Sequence, residues 1–436
     1  MARLAVDEAV RRSAAYGHAV LSWVDADGFP VSVAAPSRGD GDELRIGPVA
    51  AEVRPAAGQE VCVIFSHIRP RPGVGYDERR YLNLWGPAEP AGDLVAVRAE
   101  RASGWDEAET PFVEYAERNV PAGLAYLEQR GRRPRLPAFW RFFRATRLPF
   151  LTATLVPVAL GGAVAAHDGR FAWNWWLVAL LCAVCAHLGI NVANDLADAT
   201  GSDAVNVTPT PFSGGSRVLQ YGLVSRGRLL MLCLGLFAAC GTLGLWLADA
   251  RTWELLLLGA AGVVLGVGYS APPLKLVHRG LGEPVVAIGF GPLMTVGTYL
   301  AVTREWSWPA FYTSLPVGIL IALVLYVNQI PDRPADATAG KRTLIVRWSR
   351  ERVIAAYVAA VAAAFALVAL GPLLGRAPAW TLIALPAVAL AWPVVRDMRA
   401  SYDAPYGLIK AMAANIGLHF ATGLLLTAGW LLAVPF

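Results

Sequence analysis

The sequence predicts a two-part chain: a small soluble α+β domain built on a β-barrel or sandwich, then an all-α polytopic membrane domain of about nine transmembrane helices. Three observations predict it. The 436 residues are 56% hydrophobic with a mean hydropathy of +0.45, the balance of a membrane protein rather than of a soluble enzyme. That apolar character is uneven: residues 1–140 read as ordinary globular sequence, and nearly everything after Leu148 is apolar runs joined by short polar segments. Within the first part, short alternating runs of period two recur, the signature of half-buried strands.

Six strand-like runs lie in the first part, at residues 18–24, 29–35, 43–47, 60–66, 80–86 and 92–98. Asp25-Ala-Asp-Gly-Phe29 separates the first two and reads as a hairpin turn. A helix is expected from Pro111 to Arg130, which closes a domain of residues 1–130. Met1 to Arg12 is polar and charged, so no secretory signal is expected there. Residues 131–147 form a third kind of segment. Arg132, Arg133, Arg135, Arg141, Arg144 and Arg147 are interleaved with Phe139, Trp140, Phe142 and Phe143, the pattern of an amphipathic helix lying on an anionic membrane surface.

The membrane domain, 148–436, contains nine apolar runs of bilayer-spanning length: 148–166, 173–195, 228–248, 252–270, 284–303, 309–330, 353–373, 378–395 and 411–434. The loops after the odd-numbered runs carry one arginine each, Arg170, Arg251, Arg304 and Arg376. Those after the even-numbered runs carry the rest, including Arg217, Lys275, Arg279, Lys341, Arg342, Arg347, Arg396 and Lys410. By the positive-inside rule the even loops and the soluble domain are cytosolic, in an integral protein of the cytoplasmic membrane. A net charge of +5 placed in such loops is no sign of nucleic-acid binding. Four of the five cysteines, Cys182, Cys185, Cys233 and Cys240, lie inside apolar runs, and Cys182-Ala-Val-Cys185 reads as small residues at helix contacts.

Two acid-rich segments end even-numbered runs. The first, NVANDLADATGSD, carries Asn191, Asn194, Asp195, Asp198 and Asp203; the second, NQIPDRPADATAGKRT, carries Asn328, Asp332, Asp336, Lys341 and Arg342. On helices, Asn191, Asp195 and Asp198 share one face, as do Asn328, Asp332 and Asp336. Carboxylates beside a bilayer are costly and read as functional. Two facing columns of them would repel unless a cation lay between, and a magnesium ion bridging a diphosphate satisfies that demand with hard oxygen donors. Lys275, Arg279, Lys341 and Arg342 are candidate partners for the phosphate charge, as is Arg217 behind the Gly214-Gly215 pair. His187 stands one turn before Asn191 and either touches a bound acceptor or is a satisfied intramembrane histidine.

From about Arg141 to Phe436 the chain resembles the UbiA superfamily of intramembrane prenyltransferases. The family's first motif, Asn-Asp-x-x-Asp with a further aspartate, is matched by Asn194, Asp195, Asp198 and Asp203, the last one residue later than the commonest spacing. Its second, Asp-x-x-x-Asp followed by Gly-Lys-Arg-Thr-Leu, is matched by Asp332, Asp336 and Gly340 to Leu344. Gly201-Ser-Asp203 and the Tyr269 to Glu283 stretch look most like the dihydroxynaphthoate branch of quinone biosynthesis. SGGSRVLQYG, around Arg217, departs from the usual form of its segment.

The resemblance implies Mg2+ held by Asp195, Asp198, Asp332 and Asp336. It implies polyprenyl diphosphate neutralised by Lys275, Lys341, Arg342, Arg217 and Arg279. A lipophilic aromatic acceptor such as 1,4-dihydroxy-2-naphthoate would meet substrate-binding residues Asn191, Asn194, Asp203, Tyr269, Asn328 and His187. The first domain resembles the split-barrel flavin-binding fold of the pyridoxamine-phosphate-oxidase type, which implies either a flavin or deazaflavin site or a cofactor-free scaffold; Arg45, Arg54 and Arg80 are candidates for a flavin phosphate by charge alone. Two other readings stand beside aromatic prenylation: the same fold acting on a sugar phosphate or a glycerol-phosphate ether lipid, and an ion-coupled transporter. Charges gathered at span ends on one face argue against transport, which favours charges near the midplane.

Overall fold

The computed structural model describes residues 3–73 and 75–434, which divide into two compact units, 1–125 and 126–436. The first unit is one antiparallel nine-stranded sheet: β1 (Arg3–Leu4), β2 (Ala19–Val24), β3 (Pro30–Ala35), β4 (Ser37–Asp40), β5 (Glu43–Ile46), β6 (Gln59–Arg71), β7 (Gly75–Ala91), β8 (Leu94–Arg98) and β9 (Arg101–Asp106). The main path runs β3-β2-β6-β7-β8-β5-β4, and β9 pairs with β1 and β7. The sheet does not close on itself, so the split-barrel expectation holds for strand content and antiparallel pairing but not for closure. Alternation explains the core: Ala19, Leu21 and Trp23 of β2 turn inward against Val61, Val63 and Phe65 of β6. Each such large side chain contributes roughly 1.5–3 kcal/mol by leaving water. The β2–β3 turn is the one expected, with Asp25 Oδ1 accepting from the Asp27 and Phe29 amides at 3.0 and 2.8 Å and Gly28 at φ 85°. β9 shows no apolar alternation because Gly104 lets Leu82 and Leu4 lie against its backbone. Helix α1 (Val6–Ser13) covers part of this core, and α2 (Phe112–Gln129) follows the last strand.

The arginines considered for a flavin phosphate are engaged within this unit. Arg54 donates to the carbonyls of Val49 and Gly92, Arg45 pairs with Glu43, and Arg80 lies 5.4 Å from the centre of the Tyr16 ring. Arg80 Nε is buried without a hydrogen-bond partner, but a single buried nitrogen does not make a phosphate-gripping set.

In the second unit, α3 (Ala138–Ala145) precedes the helical bundle. Eight helices are long and apolar enough to cross a bilayer among the described residues: Leu148–His167, Trp173–Asp198, Arg226–Ala250, Gly282–Thr303, Trp308–Thr338, Arg350–Leu373, Ala379–Ser401 and Pro405–Leu432. The remaining expected span, the fourth in chain order, is a shorter apolar helix of 17 residues, Glu254–Ser270. Counting it, the spans are numbered one to nine below. Ser225, Ser307 and Ser349 cap the third, sixth and seventh by accepting from backbone amides. The fifth span contains a π-helical turn at Gly289–Leu293, around Pro292. There Gly291 and Gly318 let the fifth and sixth spans touch backbone to backbone, since a Cβ on Gly318 would lie 2.5 Å from the Ala287 carbonyl oxygen.

The second and sixth spans have 26 and 31 residues. At 1.5 Å per residue they are roughly 39 and 46 Å long, against a hydrocarbon core of about 30 Å. Both helices are thus longer than such a core, and the acid motifs occupy their C-terminal ends.

Candidate active site

Both acid motifs open into one cavity of about 830 Å³ in the second unit. Asn191, Asn194 and Asp198 reach it from the end of the second span, and Asn328, Asp332 and Asp336 from the end of the sixth. The loop after the second span contributes Asp203, Asn206, Gly214 and Gly215. Away from this polar end the lining is mostly apolar, supplied by the first to sixth spans, with Gly241, Gly244, Gly259 and Gly262 making room. His187 and Tyr269 also line it; His187 Nδ1 lies 2.7 Å from Thr154 Oγ1, and its ring meets Phe290 edge-on at 4.8 Å.

The motifs are tied together in two ways. Asp332 accepts from Asn206 Nδ2 at 2.8 Å and from the Gly214 amide at 3.0 Å, which draws the loop onto the sixth span. Lys341 Nζ lies 2.9 Å from Asp198 Oδ2 and 3.6 Å from Asp336 Oδ1, so one ammonium bridges the two acid columns. Gly340, at φ 74°, turns the chain back so that Lys341 reaches that point. Burial works against the Lys341 charge, but Asp198 and Asp336 outweigh it and hold its pKa above the ordinary lysine value. Burial pushes the Asp203 carboxyl up to about 6; Arg147 opposes the shift, and Asp195 and Asp198 add to it.

Other candidates lie elsewhere. Asp195 is buried but does not line the cavity; its Oδ1 accepts from Arg147, and its Oδ2 has no hydrogen-bond partner. Arg217 is buried behind the loop and donates to the carbonyls of Asp203 and Asn206, so it clamps the loop instead of facing the cavity. Lys275, Arg279 and Arg342 are exposed and outside the lining. The expected Lys275–Arg279 clamp does not form on one helix, because Lys275 is left-handed at φ 42° and only Leu276–Arg279 makes a short 3-10 turn. Arg279 donates to the Pro273 carbonyl, and the Arg342 amide donates to His278.

Arg147 was read from sequence as a surface arginine and is a site residue. It lines the cavity and donates to Asn194 Oδ1 at 3.2 Å and to Asp195; burial works against its charge, but Asp195, Asp203 and Asp198 hold its pKa above even the ordinary arginine value. Its place just before the first span was visible in the sequence; its contact with residues 47 and 48 positions away was not.

Among the described residues no three His, Cys, Asp or Glu side chains converge into a ready-made metal cage. The donor set nevertheless suits magnesium. The cavity offers carboxylate and amide oxygens without sulfur or imidazole at that end, and magnesium is commonly held by one or two carboxylates together with substrate phosphates.

The UbiA prenyltransferase family pattern matches residues 154–406. The chain belongs to the UbiA prenyltransferase family. The family match falls wholly within the second unit and spans both acid motifs. Relatives include the 2-carboxy-1,4-naphthoquinone phytyltransferase of Synechocystis, 30% identical over 66% of this chain and 91% of that protein. The 1,4-dihydroxy-2-naphthoate octaprenyltransferase of Mycobacterium tuberculosis is 32% identical over 61% of this chain and 88% of that one. Among solved structures, a UbiA homolog from Archaeoglobus fulgidus bound to GPP and Mg2+ is 16% identical, with a TM-score of 0.48 over 66% of this chain and 99% of that chain.

Proposed function

We propose that this UbiA-family protein transfers a polyprenyl group from polyprenyl diphosphate to an aromatic quinone precursor of the 1,4-dihydroxy-2-naphthoate type, with magnesium. The observation that carries the reading is the single cavity that joins both acid columns to an apolar chamber. Along the second span its lining runs from Asp198 down to Ala179. The 19 helical steps between them correspond to roughly 28 Å of helix, room for an extended isoprenoid tail. The naphthoate acceptor rests on the names of the relatives.

Each residue has a task that its placement supports. Asp198, Asp332 and Asp336 would hold magnesium, with Asp203 beside them and Asp195 supporting through its unpartnered oxygen. The ion supplies charge neutralisation at the diphosphate oxygens. Lys341, already between the two columns, is placed to exchange a carboxylate for a phosphate oxygen. Arg147 holds Asn194 and Asp195 and presents the rest of its guanidinium to the cavity. As the allylic C–O bond breaks, negative charge grows on the leaving diphosphate, and these preorganised cations stabilise that change. The apolar chamber keeps water from the allylic cation. His187, Asn328 and Tyr269 face the cavity where an acceptor ring would approach; Asn328 Oδ1 is buried without a hydrogen-bond partner and is available to an acceptor hydroxyl.

The lysine and arginine distribution supports a cytosolic position for the acid loops and the first unit. The first unit lies outside the family match, which supports a role separate from prenyl transfer. The test uses purified protein in bilayers with labelled geranylgeranyl diphosphate, magnesium and a panel of acceptors. A prenylated naphthoate product is expected. Transfer only to a sugar phosphate or glycerol-phosphate lipid, or intact diphosphate with every acceptor, would overturn the reading.

A further inference from the structure

The stretch 130–147 of the second unit, ahead of its first span, carries a surface that the reaction leaves unused. Arg130, Arg132, Arg133 and Arg135 are exposed, and no ion pair is made by any of them among the described residues. No acid lies between Arg130 and Arg147. Next comes α3, on which Phe139, Trp140 and Phe143 form a cluster with ring centres 5.3–6.0 Å apart. Phe139 and Trp140 are 60% and 52% exposed, far more than aromatic rings left to water would favour. Ala145 is the buried residue of α3, and Thr146, which ends the helix, is buried as well. The first span begins at Leu148, three residues after α3 ends, so this surface is continuous with the membrane-embedded bundle.

We infer that this surface docks on anionic phospholipid, with the arginines on the headgroups and the aromatic cluster at the acyl boundary, and that this docking holds the first acid motif in its working position. Arginine-rich segments with aromatic faces beside a span have the chemistry that anionic leaflets recognise. The link to the site is drawn in hydrogen bonds. Arg144 Nε donates to the Ser216 carbonyl at 2.7 Å, Asn191 Nδ2 donates to the Thr146 carbonyl at 3.0 Å, and Arg147 reaches Asn194 and Asp195. Ala145 packs with Val192 of the second span and Val218 of the loop. Displacing α3 therefore displaces Asn191, Asp195 and the loop that carries Gly214 and Gly215. The docking itself rests on the exposed surface, and only its effect on turnover rests on the proposed prenyl transfer.

The full chain is reconstituted in phosphatidylcholine bilayers with and without phosphatidylglycerol. Hydrogen–deuterium exchange is followed across 130–147 and 191–198. Wild type should exchange several-fold more slowly in both segments when phosphatidylglycerol is present, and its prenyl-transfer rate should rise several-fold. The R132Q/R133Q/R135Q variant should show neither response, while R132K/R133K/R135K should regain the slowing in 130–147. Inorganic phosphate added to phosphatidylcholine bilayers should reproduce nothing. Equal exchange in both bilayers, or slowing by inorganic phosphate alone, would overturn the docking. Slowing in 130–147 without slowing in 191–198 would overturn the coupling. Slowing in both segments with no prenyl transfer under any condition would leave the docking standing and remove the proposed function.

Discussion

Replacing Lys341 with methionine removes one charge and keeps most of the side-chain volume. In the folded protein the ammonium lies 2.9 Å from Asp198 and 3.6 Å from Asp336. At an effective dielectric of about 20, unit charges at those separations attract by about 6 and about 5 kcal/mol. Desolvation of the three groups opposes these gross attractions, and breaking a buried pair leaves a net loss of about 3–5 kcal/mol. Lys341→Met should therefore unfold at a clearly lower temperature in detergent. It should also carry a signature of opposite sign. With the ammonium gone, the two carboxylates repel each other and bind a divalent ion more tightly, so magnesium alone should raise the variant's unfolding temperature more than the wild type's. Turnover should fall about 100-fold or more, the usual scale for losing one preorganised group at a developing charge. Thermal unfolding with and without magnesium, beside a prenyl-transfer rate, reads all three effects. A variant as stable as wild type with the same magnesium response, or one with full turnover, would refute the reasoning.

Gly215→Ala places a methyl group 2.1 Å from Asp203 Oδ2 at a residue with φ 77°. It should lower transfer at least 10-fold in a rate assay, whereas Gly222→Ala, at φ 64° with nothing within 4 Å, should cost only backbone strain of about 1–2 kcal/mol seen as lower stability. Cysteines introduced at the exposed positions Asp168 and Val207 should be labelled from opposite faces of intact cells or oriented vesicles, and labelling from one face would break the span assignment. A chain beginning near residue 126 should insert and retain prenyl transfer; normal insertion with lost transfer would make the first unit part of the active machinery.

Much of the bundle was legible because membrane spans announce themselves locally, as runs of apolar residues whose length matches a bilayer. The acid columns were legible in part for the same reason: helical period places Asp332 and Asp336 on a shared face that opens into the cavity, whereas in the second span Asn191, Asn194 and Asp198 reach it and Asp195 does not. Cation partners are long-range facts. Lys341 meets Asp198 across 143 residues, and Arg147 meets Asp195 across 48. Sequence gave no means of choosing Arg147 over Lys275, Arg279 or Arg342, since all four are basic residues at the ends of apolar runs. Arg217 was misread for a related reason. Proximity to a glycine pair suggested a phosphate contact, but a left-handed backbone at φ 62° turns its guanidinium onto loop carbonyls. In the first unit the alternating strands were visible, while β1, β4 and β9 were too short or too glycine-dependent to show a period.

The central claim is that the two acid columns act as one diphosphate–magnesium site. Equilibrium binding of a labelled, non-cleavable polyprenyl diphosphate analogue to the purified protein tests it most directly, with magnesium or EDTA, in wild type, Asp198→Asn and Asp332→Asn. The account predicts magnesium-dependent binding in wild type, weakened at least 10-fold by either substitution and by EDTA. Binding that survives EDTA, or that needs only one of the two columns, would contradict it.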